Sequence, residues 1–182
     1  MHLSQFTNPH RSSNLKWFLF ITTWQLAKIV IFLHYIPIPS IIKSFLLRLF
    51  GAKVGSNVII KANVNIHDPR NLSIGSNSWI GENVVVINHA LVKISSNVCI
   101  SQSVTLCSSS HDYKSQSFDY CHHPIHIFDG CWVQANSFVC PGTTMHSDSI
   151  LTPCSVASGV LAESFIYQGN PARPIRRRVI NA

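Results

Sequence analysis

Residues 74–87 read IGSNSWIGENVVVI, and this stretch decides the fold. Ile74, Ile80 and Val86 return every six positions. That period belongs neither to an amphipathic helix nor to a two-sided strand. Extended in both directions, it runs through Val54, Ile60, Ile66; Ile74, Ile80, Val86; Ile94, Ile100, Leu106; Ile127, Val133, Val139; and Met145, Leu151, Ala157. Fourteen of these fifteen are Ile, Val, Leu or Met, and four positions later the residue is small or Val in thirteen, with Arg70 and Leu161 as the exceptions. Three positions later stand Asn57, Asn63, Asn77, Asn83, Asn97 and Asn136, Gly130 and Gly142, and Asp148. These types tolerate left-handed backbone angles, so each hexad is a short strand with a sharp corner. Three hexads close a triangular coil with the aliphatic residues inside, and coils stack at about 4.8 Å. After Ile66 and Val86 the step is eight, which puts two extra residues at the same corner each time. An ordinary sandwich has no reason to keep such a period. The sequence therefore predicts an all-β, parallel β-helix of about five triangular coils.

The rhythm fails once, between Leu106 and Ile127, where the step is 21 residues. The excess, 112–126 (DYKSQSFDYCHHPIH), must project as a loop, the usual place for function on a rigid scaffold. Three parts follow: an apolar, basic, helical segment over 1–50, the β-helix over 51–168, and a basic tail over 169–182.

Of the 182 residues, 46% are apolar and only 12% charged, which excludes a disordered chain or a coiled coil. The net charge of +7 is unevenly spread: residues 1–67 contain Arg11, Lys16, Lys28, Lys43, Arg48, Lys53 and Lys61 but no acid before Asp68. Such a flank can face a membrane, a nucleic acid or a phosphorylated ligand. Nucleic acid is disfavoured, because no stacking platform or reading motif accompanies the charge. Residues 17–39 (WFLFITTWQLAKIVIFLHYIPIP) lack the cleavage site of a secretory signal. Gln25, Lys28 and His34 interrupt them, and a central lysine is costly in a bilayer. Three arrangements remain open: helices packed on the main domain, an interfacial anchor with Trp17 and Trp24 at headgroup level, or a span. The six cysteines include no CxxC pair and read as free thiols of a reducing compartment.

The loop opens with Ser110-His111-Asp112-Tyr113, and His111 ends its hexad, a position suited to a general base. His122, His123 and His126 share the loop, whereas His67, His89 and His146 lie on different coils, so no metal set is expected.

The chain from about 42 to 178 resembles the hexapeptide-repeat O-acetyltransferases, in particular those of colanic-acid and other exopolysaccharide biosynthesis. The resemblance rests on FLLRLFGAKVG (45–55), SHDY (110–113), FDY (118–120), HPI (123–125), DGCWV (129–133), PGT (141–143) and GNPARPIRRR (169–178). It implies a left-handed β-helix, acetyl-CoA as co-substrate, no metal, and a cytoplasmic homotrimer with sites between protomers. It further implies that His111 accepts the proton of a sugar hydroxyl and that the backbone amide of Ala135 receives the oxyanion. By the same resemblance Asn88 helps place the acceptor, although corner geometry explains it equally. Asp112 orients His111 or caps a turn. Tyr113, Phe118 and Trp132 are expected to wall the sugar, Ser155 and Ser158 to line the pantetheine path, and Arg173 and Arg176 to meet the CoA phosphates. Glycine follows the repeat's aliphatic residue only at Gly55, Gly75 and Gly81, the family's late lysine is replaced near Ser158-Gly159, and Cys140, His146 and Pro153 are unusual, which weakens the cofactor contacts. Other acceptors (serine, a maltose-like sugar, an antibiotic), a zinc lyase of carbonic-anhydrase type and a non-enzymatic scaffold are the rival readings. The basic, aromatic amino-terminal segment implies peripheral contact with the inner face of the membrane, near a lipid-linked acceptor.

Overall fold

The computed structural model describes residues 15–179, and Arg11 lies outside them. Two helices, α1 (Leu15–Ile31) and α2 (Ser40–Leu49), precede a run of short strands. Pro37 and Pro39 separate the helices, and Gly51, at φ +96°, ends α2 in the left-handed conformation that suits a helix C-terminus.

The strands stack into three parallel sheets, one per face of a prism. Face one carries Val54, Ile74, Ile94, Ile127, Met145 and Leu161 in register. Face two carries Ile60, Ile80, Ile100, Val133, Leu151 and Tyr167. Face three carries Ile66, Val86, Leu106, Val139 and Ala157. These side chains are the core, all buried except the partly buried Val54. All nine corner residues marked in the sequence have positive φ, and so do Ser103, Cys154 and Ser164 at equivalent places. Register therefore imposes the corner even where the side chain does not favour it.

The expected five coils are followed by a sixth with two sides, built on Leu161 and Tyr167. The sequence hid it because the step from Ala157 shortens to four and an aromatic residue takes the next inward place. The chain then doubles back, and Arg173–Arg177 runs antiparallel to Phe165–Gln168 on face two.

The first coil has no neighbour on its outer side, yet its carbonyls are satisfied, one face at a time. Arg48 donates to Val54 and Gly55 at 2.8 and 2.7 Å on face one. Lys43 Nζ donates to Lys61 at 2.6 Å and Ile60 at 3.4 Å on face two. Trp24 Nε1 donates to Ile66 and His67 at 3.2 and 3.1 Å on face three. An open sheet edge must be covered or paired, and the two helices do both. This packing removes Trp24 from the headgroup role considered for it: it is wholly buried, with its ring 5.7 Å from Phe32 and 5.2 Å from Phe50. Lys28 and Lys43 are buried too, and burial pushes both their pKa values down. Among the described residues no helix is long and apolar enough to cross a membrane.

Candidate active site

The prism edge between faces three and one carries the hairpin with His111. Face three ends at Cys107 and face one resumes at Ile125. Between them Ser109–His111 pairs antiparallel with Tyr120–His122, placing His111 opposite Tyr120. The excursion is thus a β-hairpin that starts at Ser109, earlier than the expected 112, and His111 belongs to the hairpin. Buried Ser108 anchors its base: its Oγ accepts from the Ala90 N–H at 3.0 Å, and its carbonyl accepts from the His123 N–H at 2.9 Å.

His111 is clamped. Its ring lies 3.9 Å from Phe118, nearly parallel at 5°, and 4.5 Å from Tyr120. Nδ1 sits 2.7 Å from the Phe118 carbonyl. A carbonyl can only accept, so Nδ1 carries the hydrogen and, in the neutral ring, Nε2 carries the lone pair. The hydrogen-bond partner that fixes the tautomer is therefore a backbone carbonyl. Asp112 does not take that part: its carboxylate accepts from the Lys114 N–H at 2.9 Å and its own N–H bonds Asp119. It caps the loop turn. Ser115 and Ser117 donate to Asp119 Oδ2 at 2.6 and 2.7 Å, and these hydroxyls hold the Asp119 carboxyl below the usual range.

From Tyr120 the rings continue to His122 (5.2 Å), His89 (5.1 Å from His122) and His67 (4.2 Å from His89). Different coils do not separate His67 from His89, because stacking brings the same corner of successive coils together. A coil length of 20 residues in the sequence was the available signal. The row ends at a cleft of about 210 Å³ lined by His67, His89, Arg70 and Asn71 and roofed by Trp17 and Ile21 of α1. Asn88 is fully buried, with Oδ1 accepting from the Asp68 N–H at 2.9 Å and Nδ2 donating to the Asp68 carbonyl at 2.6 Å. Its amide is spent on corner geometry. Asp68 in turn binds Arg70, whose guanidinium stacks 4.2 Å over Phe20 of α1.

The other expected site residues lie elsewhere. Tyr113 is 82% exposed at the loop tip, beside Lys114. It and Trp132 therefore form no common wall with Phe118. Trp132 is on face two, its Nε1 donating to Ser101 Oγ at 2.9 Å. Ala135 follows at the corner between faces two and three, with its carbonyl bonded to the Cys154 N–H at 3.0 Å. Arg173 and Arg176 are exposed on the returning strand of face two. Ser158 is exposed on the His111 edge, but Ser155 is buried, accepting the Gly169 N–H at 2.9 Å, and lines no surface path. Within one chain the residues thus divide between two edges. Burial pushes the thiols of Cys99, Cys131 and Cys140 up, which disfavours them as nucleophiles. Among the described residues no three His, Cys, Asp or Glu groups converge as metal ligands.

Over 137 residues, 75% of this chain and 75% of the relative, the sequence is 39% identical to the colanic acid biosynthesis acetyltransferase WcaF of Escherichia coli. The chain belongs to the hexapeptide-repeat acetyltransferases. No protein-family model matches it. The fold matches the hexapeptide-repeat acetyltransferase VCA0836 of Vibrio cholerae, solved with acetyl coenzyme A, with a TM-score of 0.82 at 20% identity over 92% of both chains. A maltose O-acetyltransferase of Clostridium difficile matches with a TM-score of 0.83 at 17% identity, over 92% of this chain and 90% of that one. In this acetyltransferase the clamped histidine belongs to the Ser110-His111-Asp112-Tyr113 stretch that opens the hairpin.

Proposed function

We propose that this acetyltransferase moves acetyl from acetyl-CoA to a sugar hydroxyl of an exopolysaccharide or its lipid-linked precursor, on the cytoplasmic face of the membrane. The clamp on His111 carries the reading, because it presents one defined nitrogen on a rigid edge. Nε2 takes the hydroxyl proton as the sugar oxygen attacks the thioester carbon. The backbone N–H of Ala135 receives the oxyanion. Collapse breaks the C–S bond, and the imidazolium returns its proton to the CoA thiolate. Base and both substrates held together suffice, so no acyl-enzyme is needed.

The division of residues between two edges supports a symmetric homotrimer, in which the His111 edge of one protomer faces the Ala135 edge and face two of its neighbour. Trp132, Arg173 and Arg176 then line the neighbour's side of the shared cleft, where CoA lies, while Ser158 meets the pantetheine from the His111 edge and His89 and His67 extend the acceptor side. Asn88 acts by holding that edge. The polysaccharide relative and the maltose-acetylating fold neighbour both support a sugar acceptor. His111→Ala should lower acetyl-CoA turnover with nucleotide sugars or lipid-linked saccharides by about 10²–10⁴-fold, with the circular dichroism spectrum unchanged. Full activity in that variant would refute the mechanism.

A further inference from the structure

Helix α1 is apolar on both sides. Its inner side carries Trp24 against the prism, and its outer side shows Leu15, Phe18, Leu19, Leu26, Ile29 and Val30, each 52–68% exposed. Their spacing of three, four and seven keeps them in one stripe, where a helix facing water would be polar. On α2, which covers the same end of the prism, Ile41, Phe45 and Leu49 are 63–76% exposed as well. An apolar surface of this size marks a contact with something else.

Charge selects the occupant. Lys16, Arg48, Lys53 and Lys61 are exposed at this end of the molecule, and all seven acids come after residue 67. A basic rim around an apolar patch complements an anionic bilayer. Self-pairing of the patch would bring like charges together. The 17 residues of α1 reach only about 26 Å. Trp24 donates to the Ile66 and His67 carbonyls and Lys28 is buried on the same side, so α1 lies along the prism end. Trp17 and Ile21 of the same helix roof the cleft that opens onto His67 and His89.

We propose that α1 and α2 form a docking surface for an anionic bilayer, which holds the entrance of the histidine row at the membrane. This deepens, and rests on, the reading of a lipid-linked acceptor. The full chain should co-sediment with phosphatidylcholine vesicles containing phosphatidylglycerol, and added salt should weaken that binding. Pure phosphatidylcholine vesicles should bind about tenfold less. A Leu19→Glu/Ile29→Glu variant should bind the anionic vesicles about tenfold less, yet turn over acetyl-CoA with a water-soluble sugar as wild type does. If that pair fails to fold by circular dichroism, Leu19→Ser/Ile29→Ser serves instead. The proposal is overturned if wild type stays in the supernatant, if the variant binds as wild type, or if the variant loses oligomeric mass, which would show that another copy covers the patch. Docking lost with turnover kept leaves acetyl transfer standing, and turnover absent on every sugar with docking kept sinks only the transfer reading.

Discussion

Replacing Lys43 by Met tests whether the amino-terminal helices stabilise the β-helix through its orphan carbonyls. Met keeps the apolar stem and removes the ammonium. Lys61 loses its 2.6 Å donor, while the Ile60 carbonyl keeps Ser40 Oγ at 3.3 Å. One hydrogen bond to a charged donor is lost, worth about 1.5–3 kcal/mol. Relief of the buried charge opposes it, so a net loss of about 1–2 kcal/mol is expected. For a chain of this size that lowers Tm by about 2–8 °C. Adding Ser40→Ala orphans the second carbonyl as well, and the pair should cost more than the sum of the singles. The pH dependence carries its own sign. Burial lowers the Lys43 pKa, so wild type bears a penalty at neutral pH that is relieved as pH rises through the depressed value toward the ordinary 10.5. The advantage of wild type over Lys43→Met should therefore grow on going alkaline. Thermal and urea melts of both proteins across that range measure it. A higher Tm for Lys43→Met at neutral pH would show that the buried charge costs more than the cap returns, and would refute the reasoning.

Cys154 holds φ +57° at a corner that takes Asn63, Asn83 and Asn136 in three of the other coils. Cys154→Asn should stabilise by about 1 kcal/mol, read as a rise in Tm. Asp119 is held below the ordinary 3.8 by Ser115 and Ser117, so the order it lends the hairpin tip is present above that value and lost as pH falls through the lower folded one. Amide exchange over residues 112–119 should accelerate there in wild type, and Asp119→Asn should remove the acid dependence.

The β-helix was legible because its signal repeats. Inward aliphatic residues and left-handed corners recur at fixed offsets, and each new coil tests the last. Ser103, Cys154 and Ser164 show how strongly register acts, since none is an Asn or Gly and all adopt the corner angles. Where the period slips, legibility goes with it: the four-residue step to Leu161 hid the sixth coil. The helices were ambiguous for a different reason. Lys43 stands in a short apolar run, and only the fold reveals the Ile60 and Lys61 carbonyls that need its protons.

The site divided along the same line. His111 was marked as a candidate because it stands at the break in the rhythm, where a loop must leave the prism. What orients it could not be marked, since the partner is the backbone of Phe118 and a carbonyl has no letter in a sequence. Residue type favoured Asp112, which the turn at the loop start claims first. Asn88 and Ser155 failed as surface residues for a related reason: small polar side chains at a corner meet the nearest unpaired backbone group before they meet a ligand. Conversely, the row from His111 to His67 needs no local motif. Residues about one coil length apart come to share an edge, so in a solenoid side chains that meet in space lie about a coil period apart in sequence.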